Sequence, residues 1–300
     1  MNGTELNNWG ATHINARNVF FFALTIVALW MVYAPLRDFL IFVARGKYDT
    51  HIILVPLVSG YLIYSGRKTI LGNLKYSYTI GIPLLVIGVL LYVLGWHQGH
   101  RLNQNDYSSL MMFSVIVFWI GGFILSYGMQ AFRKAIFPLL FLVLMIPIPT
   151  LFVEQILLFL QAGSTAAAYV FFNLTGIPFL REGTVFHLPG FSVEVAKRCS
   201  GIHSSLALFI AGILAAHIFV KTAFKKIILM LLIFPITITA NGIRIVTLSL
   251  LGVYVDERAL THGFIHQSGG LSVFIPALCL LGLIVWFLRK SEVTSGKEKV

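Results

Sequence analysis

The sequence predicts an all-α polytopic membrane protein with about eight transmembrane helices, one extra embedded or interfacial helix, and a short extracytoplasmic β-hairpin. Hydrophobic residues make up 58% of the 300-residue chain and charged residues only 11%, whereas about 25% of a soluble domain is charged. The mean hydropathy is +0.87. Apolar runs that approach the roughly 20 residues of a bilayer crossing recur along the chain. They leave no room for a separate soluble domain, so we expect one membrane domain over residues 1–300.

The apolar runs define the predicted spans. They cover residues 19–36, 51–65, 78–96, 110–127, 135–148, 202–220, 227–253 and 271–288. Segment 151–176 is also apolar, but it carries Glu154, Gln155, Gln161, Ser164, Thr165 and Asn173. Such polar content is typical of an embedded or interfacial helix rather than a lipid-facing span. We therefore predict a membrane-embedded helix there without assigning it a crossing.

Residues 185–195 differ from the apolar runs because they alternate in polarity. Two alternating runs flank Pro189-Gly190, a turn dipeptide, and this pattern predicts a β-hairpin. An exposed strand of such a hairpin could receive an extended peptide by edge pairing.

The net charge of +11 reflects membrane topology. Lys and Arg are scattered in short loops between apolar runs and form no patch of the kind that binds nucleic acid. Placing both termini in the cytoplasm puts most of the 22 basic residues on the cytoplasmic side, as the positive-inside rule requires. Residues 1–18 lack the features of a cleavable signal peptide, so we expect the first helix to be retained.

Cys199 is the first candidate catalytic residue. It follows Lys197 and Arg198 and opens the apolar run 202–220, and both a helix N-terminus and nearby cations favour the nucleophilic thiolate. Ser200 and Gly201 keep its surroundings small. A buried structural cysteine is the alternative. Cys279 lies 80 residues away within an apolar run, so no disulfide framework is indicated.

Arg244 is the second candidate, because it lies inside the apolar run 227–253. A charge at this position costs at least about 2.5 to 3.5 kcal/mol on insertion scales, and such residues usually face an interior cavity. Asn241 lies three residues earlier on the same helical face and could hold the guanidinium. A fixed guanidinium would stabilise the oxyanion of a tetrahedral intermediate. A structural ion pair with Glu154 or Glu194 is the alternative.

His266, just before the last run, is the third candidate, as the acid that protonates the leaving amine. Three other histidines compete for that role: His187, His203 and His262. A metal site built from His203, His262 and His266 is conceivable, but no carboxylate has the spacing of a metalloprotease helix. We predict that Cys199, Arg244 and His266 meet in one outward-facing cleft.

Short blocks spread over nearly the whole chain carry a family resemblance. They lie at residues 49–51 and 55–62, 145–149 and 176–190, 194–201 with Ser204, 241–245, and 266 with Gly270 and Phe274. In this order and spacing the chain resembles the exosortase/archaeosortase family of integral-membrane cysteine transpeptidases. It departs from the family pattern at His203, where the family often has arginine.

The resemblance implies an enzyme that recognises a C-terminal sorting tail of exported proteins, such as the PEP-CTERM signal, and cleaves it on the extracytoplasmic side. Carried over to this chain, Cys199 would be the nucleophile, Arg244 the oxyanion stabiliser and His266 the acid/base. Supporting or substrate-binding roles would fall to Glu194, Ser200, Gly201, His203, Asn241 and His262. The acyl group would pass to a lipid or polysaccharide acceptor or to water, with no cofactor and no metal. The implied location is the bacterial cytoplasmic membrane, with membrane lipids as neighbours.

Two other function classes remain open at this point. A transporter would use Arg244 to bind an anionic substrate, and would be expected to show inverted repeats, which the sequence does not display. A non-catalytic scaffold for export of surface polysaccharide or protein would tolerate loss of the thiol.

Overall fold

The structure is a computed structural model that describes residues 16–46, 51–72, 74–196, 202–254 and 271–297; the side chains of residues 34, 38–46, 51–53, 203, 271–273 and 293–297 are not described. The chain divides into two compact units, Met1–Thr150 and Leu151–Val300.

All regular elements in the described part of the first unit are helices. Its helices are α1 (Ala16–Gly46), α2 (His51–Ile70), α3 (Tyr78–Gln98), α4 (Gln104–Lys134) and α5 (Ile136–Phe141), and α5 continues as a 3₁₀-helix (Leu142–Met145). Gly128 interrupts α4 with a φ of +88°. A Cβ at Gly128 would clash with the carbonyl oxygen of Lys75, so glycine is needed there both for its backbone angle and for its lack of a side chain.

Glycines bring α3 and α4 into close contact. Gly81, Gly88 and Gly95 are all buried, and their seven-residue spacing, about two helical turns, puts them on one face. A Cβ at Gly88 would lie 2.7 Å from the backbone of Phe118, and one at Gly81 would lie 2.7 Å from Cα of Leu125. The two backbones approach each other because no side chain stands between them.

Polar side chains at the start of α4 hold the chain that leads out of the first unit. Ser109 donates to the carbonyl of Pro147 over 2.6 Å, and Asn105 donates to the carbonyl of Ile148 over 2.8 Å. The amide of Thr150 donates to Asp106 over 2.7 Å. These bonds fix an extended segment whose prolines cannot continue the preceding helix.

The second unit combines helices with a small sheet. Its elements are α6 (Thr150–Thr175, whose first residue still belongs to the first unit), β1 (Leu180–Glu182), β2 (Val185–Leu188), β3 (Phe191–Glu194), α7 (Ile202–Phe219), α8 (Ala223–Tyr254) and α9 (Leu271–Lys297). One hydrophobic core of this unit lies among α7, α8 and α9, around Leu208, Leu229 and Leu281. A second core lies between the sheet, α6 and α8.

The predicted hairpin is present as β2 and β3. The strands are antiparallel, Leu188 pairs with Phe191, and Gly190 has a φ of +96° in the turn. A third strand that the sequence did not predict, β1, pairs with β2 on its other side. Phe186 on the central strand is fully buried, so one face of the sheet packs against the second core.

The eight predicted spans are not confirmed. Among the described residues, six helices are long and apolar enough to cross a membrane: α1 over Ala16–Tyr33, α3, α4, α6, α8, and α9 over Phe274–Glu292. The predicted span 135–148 consists of α5 and the 3₁₀-helix, an apolar helix of only ten residues over Ile136–Met145, which is about 15 Å long. The apolar part of α7, Ser204–Phe219, is also shorter than the six, and α2 is not among them. Segment 151–176, by contrast, forms one continuous helix that meets the criterion for a span.

Candidate active site

Arg244 lies inside α8, the 32-residue helix that is one of the six candidate spans. Its side chain is partly buried, and its Nε atom is shielded from solvent. Because a charged group is expensive at the centre of an apolar helix, such a residue belongs at an interior surface rather than toward lipid. Arg244 therefore lies within a candidate span, and its catalytic role stays a prediction.

Asn241, one turn before Arg244, is almost completely buried and engages α6. Its side-chain nitrogen donates to Oγ of Ser164 over 2.9 Å, and Ser164 is itself fully buried. A buried amide is stable only when its polar atoms find partners. The bond therefore fixes the rotation of the α8 turn that carries Arg244 relative to α6.

Small residues let α6 and α8 come close enough for this bond. A Cβ at Gly242 would lie 2.7 Å from Cβ of Ala167, and a Cβ at Gly163 would lie 2.7 Å from Cδ1 of Ile238. Such small residues at helix contacts are typical of membrane proteins, in which close packing and interhelical hydrogen bonds drive association.

Gln161 joins α6 to the strand segment that leads toward Cys199. Its Nε2 donates to the carbonyl oxygen of Val195 over 2.6 Å. Gln161 is 9% exposed and Val195 is 1% exposed. Gln161 and Ser164 are three residues apart, so both lie on the buried face of α6.

The second core of this unit connects the strand segment to the Arg244 turn. Its buried members are Ala168, Phe172, Phe186, Leu188, Val195, Ile245 and Val246. Ile245 and Val246 directly follow Arg244 in the sequence. The residues around Arg244 and the segment before Cys199 therefore share one packed cluster.

Glu194 and His187 lie on the other face of the sheet. Nδ1 of His187 is 2.8 Å from Oγ of Ser192, and its Nε2 is 3.5 Å from Oε2 of Glu182. Both Glu194 and Ser192 are exposed. The histidine of the hairpin therefore belongs to a polar face on the surface of the sheet, opposite the packed cluster.

The other residues predicted for the site are not within the described structure. Cys199, Ser200, Gly201, His262 and His266 lie outside the described residues. His203 lies in α7, but its side chain is among those not described. Their predicted roles therefore stay predictions, and the described part of the candidate site consists of Arg244 and Asn241 on α8 and of Ser164 on α6, which accepts the bond from Asn241.

Sequence reasoning did not assign Gln161 and Ser164 to the site. In the sequence they stand out only as polar residues of a predicted embedded helix. The signal was their spacing: Gln161, Ser164 and Thr165 recur at three and four residues, which places them on a single helical face. All three are buried, whereas Glu154 and Gln155 on the same helix are exposed.

Comparison with known protein families gives a match over most of the chain. The family model described as transmembrane exosortase (Exosortase_EpsH) matches residues 43–283. The match covers most of the chain, including α6, the sheet and α8. No curated protein and no solved structure shows significant similarity to the chain.

Proposed function

The chain belongs to the transmembrane exosortase family, and from this premise we propose that it is a membrane-embedded cysteine transpeptidase or protease that removes the C-terminal sorting tail of exported proteins. The family and the six candidate spans make it a multi-pass membrane protein. Its substrates would be exported proteins that end in a short recognition motif, an apolar helix and basic residues.

The observation that best supports the proposal is the structural environment of Arg244. A guanidinium inside a span is retained at considerable cost, and here it stands one turn after an asparagine that is bonded to a buried serine of α6. An arginine on a helix turn that is fixed in this way is preorganised to stabilise negative charge that develops beside it. Acyl transfer to a cysteine generates such a charge on the carbonyl oxygen of the substrate.

The proposed reaction has two stages. The thiolate of Cys199 attacks the scissile carbonyl carbon, and Arg244 stabilises the resulting oxyanion. As the C–N bond breaks, the imidazolium of His266 gives its proton to the leaving amine, and a thioester remains on Cys199. An acceptor nucleophile or water then loses its proton to His266 and attacks the thioester, and the thiolate of Cys199 leaves.

We also propose the orientation that this reaction requires. With both termini in the cytoplasm, and with α2 and α7 crossing the membrane in addition to the six candidate spans, Cys199 and His266 precede their helices at the extracytoplasmic face of the bacterial cytoplasmic membrane. Exported substrates reach that face after translocation, while their C-terminal helix is still in the bilayer.

Two single-cysteine variants test the proposed function. Tagged proteins from the same genome that carry candidate tails are co-expressed with the enzyme, and a substrate that the wild type shortens on a gel is chosen. We expect Cys199→Ala to abolish tail removal while the protein still accumulates in the membrane. Cys279→Ala is the matched control, because Cys279 is a free, exposed cysteine of α9, and it should process the substrate at the wild-type rate.

The outcomes separate the function from the residue assignment. Tail removal that persists in Cys199→Ala would show that Cys199 is not the nucleophile. Failure of the wild type to process any such tail would contradict the proposed function itself. Capture of a thioester adduct by hydroxylamine in the wild type, and not in Cys199→Ala, would identify the covalent intermediate.

A further inference from the structure

We propose that Gln161 is a positioning residue for the nucleophile: its side-chain amide holds the carbonyl of Val195 and thereby fixes the segment that leads to Cys199. This inference rests on the proposed function of Cys199. It concerns a residue on α6 that contacts neither the substrate nor the reacting atoms.

The bond itself is short and buried. Nε2 of Gln161 lies 2.6 Å from the carbonyl oxygen of Val195, at the short end of the range for an amide–carbonyl bond. Both residues are at least nine-tenths buried. A hydrogen bond in such a low-dielectric position is hard to replace, because no water is at hand to take over either partner.

Val195 is anchored on three sides. Its amide donates to the carbonyl of Thr184 over 2.9 Å, which continues the hairpin ladder by one pair. Its carbonyl accepts from Gln161, and its side chain belongs to the second core. The ladder alone would fix the strand within the sheet, and the bond from Gln161 additionally fixes the sheet to α6.

This anchor lies close to Cys199 in the sequence. Cys199 is four positions after Val195, so the covalent chain allows at most about 14 Å between their Cα atoms. The core that holds the Val195 side chain also contains Ile245 and Val246, which follow Arg244. Val195 and the residues that follow Arg244 therefore pack in one core, and α6 contributes to that core as well.

The sequence of α6 offers a matched comparison for Gln161. Gln155 lies on the same helix but is exposed, so an identical substitution there changes the chemistry of α6 without touching Val195. Methionine is suitable at both positions because it is unbranched and similar in length to glutamine, and it lacks the amide donor.

The experiment compares Gln161→Met with Gln155→Met in a Cys279→Ser background, so that Cys199 is the sole cysteine. Tail removal gives kcat and KM. The rate at which a maleimide alkylates Cys199 in the absence of substrate reports the accessibility and reactivity of the thiol. For Gln161→Met we expect kcat to fall by roughly 10- to 100-fold, the effect of a reacting group displaced by about 1 Å. KM should stay within about twofold of the wild type, and the alkylation rate should change. Gln155→Met should match the wild type in all three.

If Gln161→Met fails to accumulate in the membrane, the variant Gln161→Glu tests the positioning role instead. Gln161→Glu preserves the shape of the side chain, and its neutral acid can donate to the Val195 carbonyl whereas its carboxylate cannot. The ratio of variant to wild-type activity should therefore fall as the pH rises. A general loss of packing would lower that ratio equally at every pH.

The outcomes are distinct from those for the proposed function. If Cys199→Ala abolishes tail removal but Gln161→Met behaves like Gln155→Met, the positioning role is wrong and the function stands. A pH-independent ratio for Gln161→Glu would also overturn the positioning role. If tail removal survives Cys199→Ala, the premise has failed irrespective of the Gln161 variants.

Discussion

Two close helix pairs, one in each unit, differ in what their contact surfaces contain. In the first unit, α3 meets α4 through Gly81 and Gly88, and the partner atoms are the backbone of Leu125 and Phe118. In the second unit, α6 meets α8 through Gly163 and Gly242, and the same surface carries the bond between Asn241 and Ser164.

The comparison shows that close approach and polarity have separate causes. Glycines suffice to bring two apolar helices together, as α3 and α4 demonstrate, so the polar pair between α6 and α8 is not needed for proximity. Interhelical polar bonds contribute little stability on average. We therefore infer that the polar residues of the second pair serve the geometry of the turn that carries Arg244.

The largest effect is expected on activity, at the charged residue of the second pair. Arg244→Gln should slow tail removal by roughly 10²- to 10³-fold, the usual consequence of removing one oxyanion donor. Initial rates of tail loss measure this, with Arg289→Gln as control because Arg289 is an exposed arginine of α9. A near-wild-type rate for Arg244→Gln would show that the α8 turn at the second contact has no special role in catalysis. The two helix pairs would then not differ in function.

An intermediate effect is expected on stability, in the glycine contact of the first pair. A Cβ at Gly88 would lie 2.7 Å from backbone and Cβ atoms of Phe118, and overpacking of this kind costs about 1–3 kcal/mol. Gly88→Ala should therefore lower the midpoint temperature of thermal unfolding in detergent.

Gly60→Ala is the matched control in the same unit. Apart from the backbone of its own helix, no atom of the described residues lies within 4 Å of the position where its Cβ would be, and alanine is the better helix former by up to about 1 kcal/mol. Its unfolding midpoint should be unchanged or raised. Equal midpoints for the two variants would contradict the account of the α3–α4 contact.

The smallest effect is expected from the polar bond itself. A double-mutant cycle of Ser164→Ala and Asn241→Ala should give a coupling free energy of unfolding near ~0.6 kcal/mol, the average for bonds between membrane helices. Asn241→Ala should nevertheless reduce the rate of tail removal by more than this stability change accounts for. A coupling well above ~1.7 kcal/mol, the largest value measured for such bonds, would show that the polar pair mainly stabilises the fold.

Much of the fold follows from patterns that the sequence makes explicit. The run 78–96 became α3 (Tyr78–Gln98), because it is uniformly apolar and bounded by polar residues. The alternating residues around Pro189-Gly190 became β2 and β3. Strand β1 was missed because Leu180, Arg181 and Glu182 show no alternation and are all exposed; this strand exists only because β2 offers it a free edge.

Two segments show why apolar composition alone does not define the spans. In 135–148, hydrophobicity alone suggested a crossing, but the structure ends the helix at Met145, ahead of Pro147 and Pro149. In 151–176, polar residues argued against a lipid-facing span. The structure turns Gln161, Ser164 and Thr165 toward protein, and it keeps Glu154 and Gln155 exposed near the start of the helix. Composition cannot distinguish a polar residue that faces lipid from one that faces a partner helix.

Residues of the candidate site can be proposed from the sequence where a side chain is unusual for its surroundings. They cannot be proposed where the side chain is a common polar one. A charge within an apolar run identified Arg244, and helical spacing identified Asn241 beside it. Gln161 and Ser164 are common polar residues whose partners, Val195 and Asn241, lie 34 and 77 residues away. Nothing in a single sequence specifies such pairings, because they depend on which helices meet.

The separation of these two bonds along the chain also sets the order in which the protein can be assembled during synthesis. The bond from Gln161 to Val195 needs nothing beyond Val195 and can form as soon as that residue has left the ribosome. The bond to Asn241 must wait for 46 further residues, about 2 to 9 s at 5–20 residues per second. For those seconds the nascent chain would carry its cysteine segment already tethered to α6, while the arginine that is proposed to act on the same substrate has still to leave the ribosome.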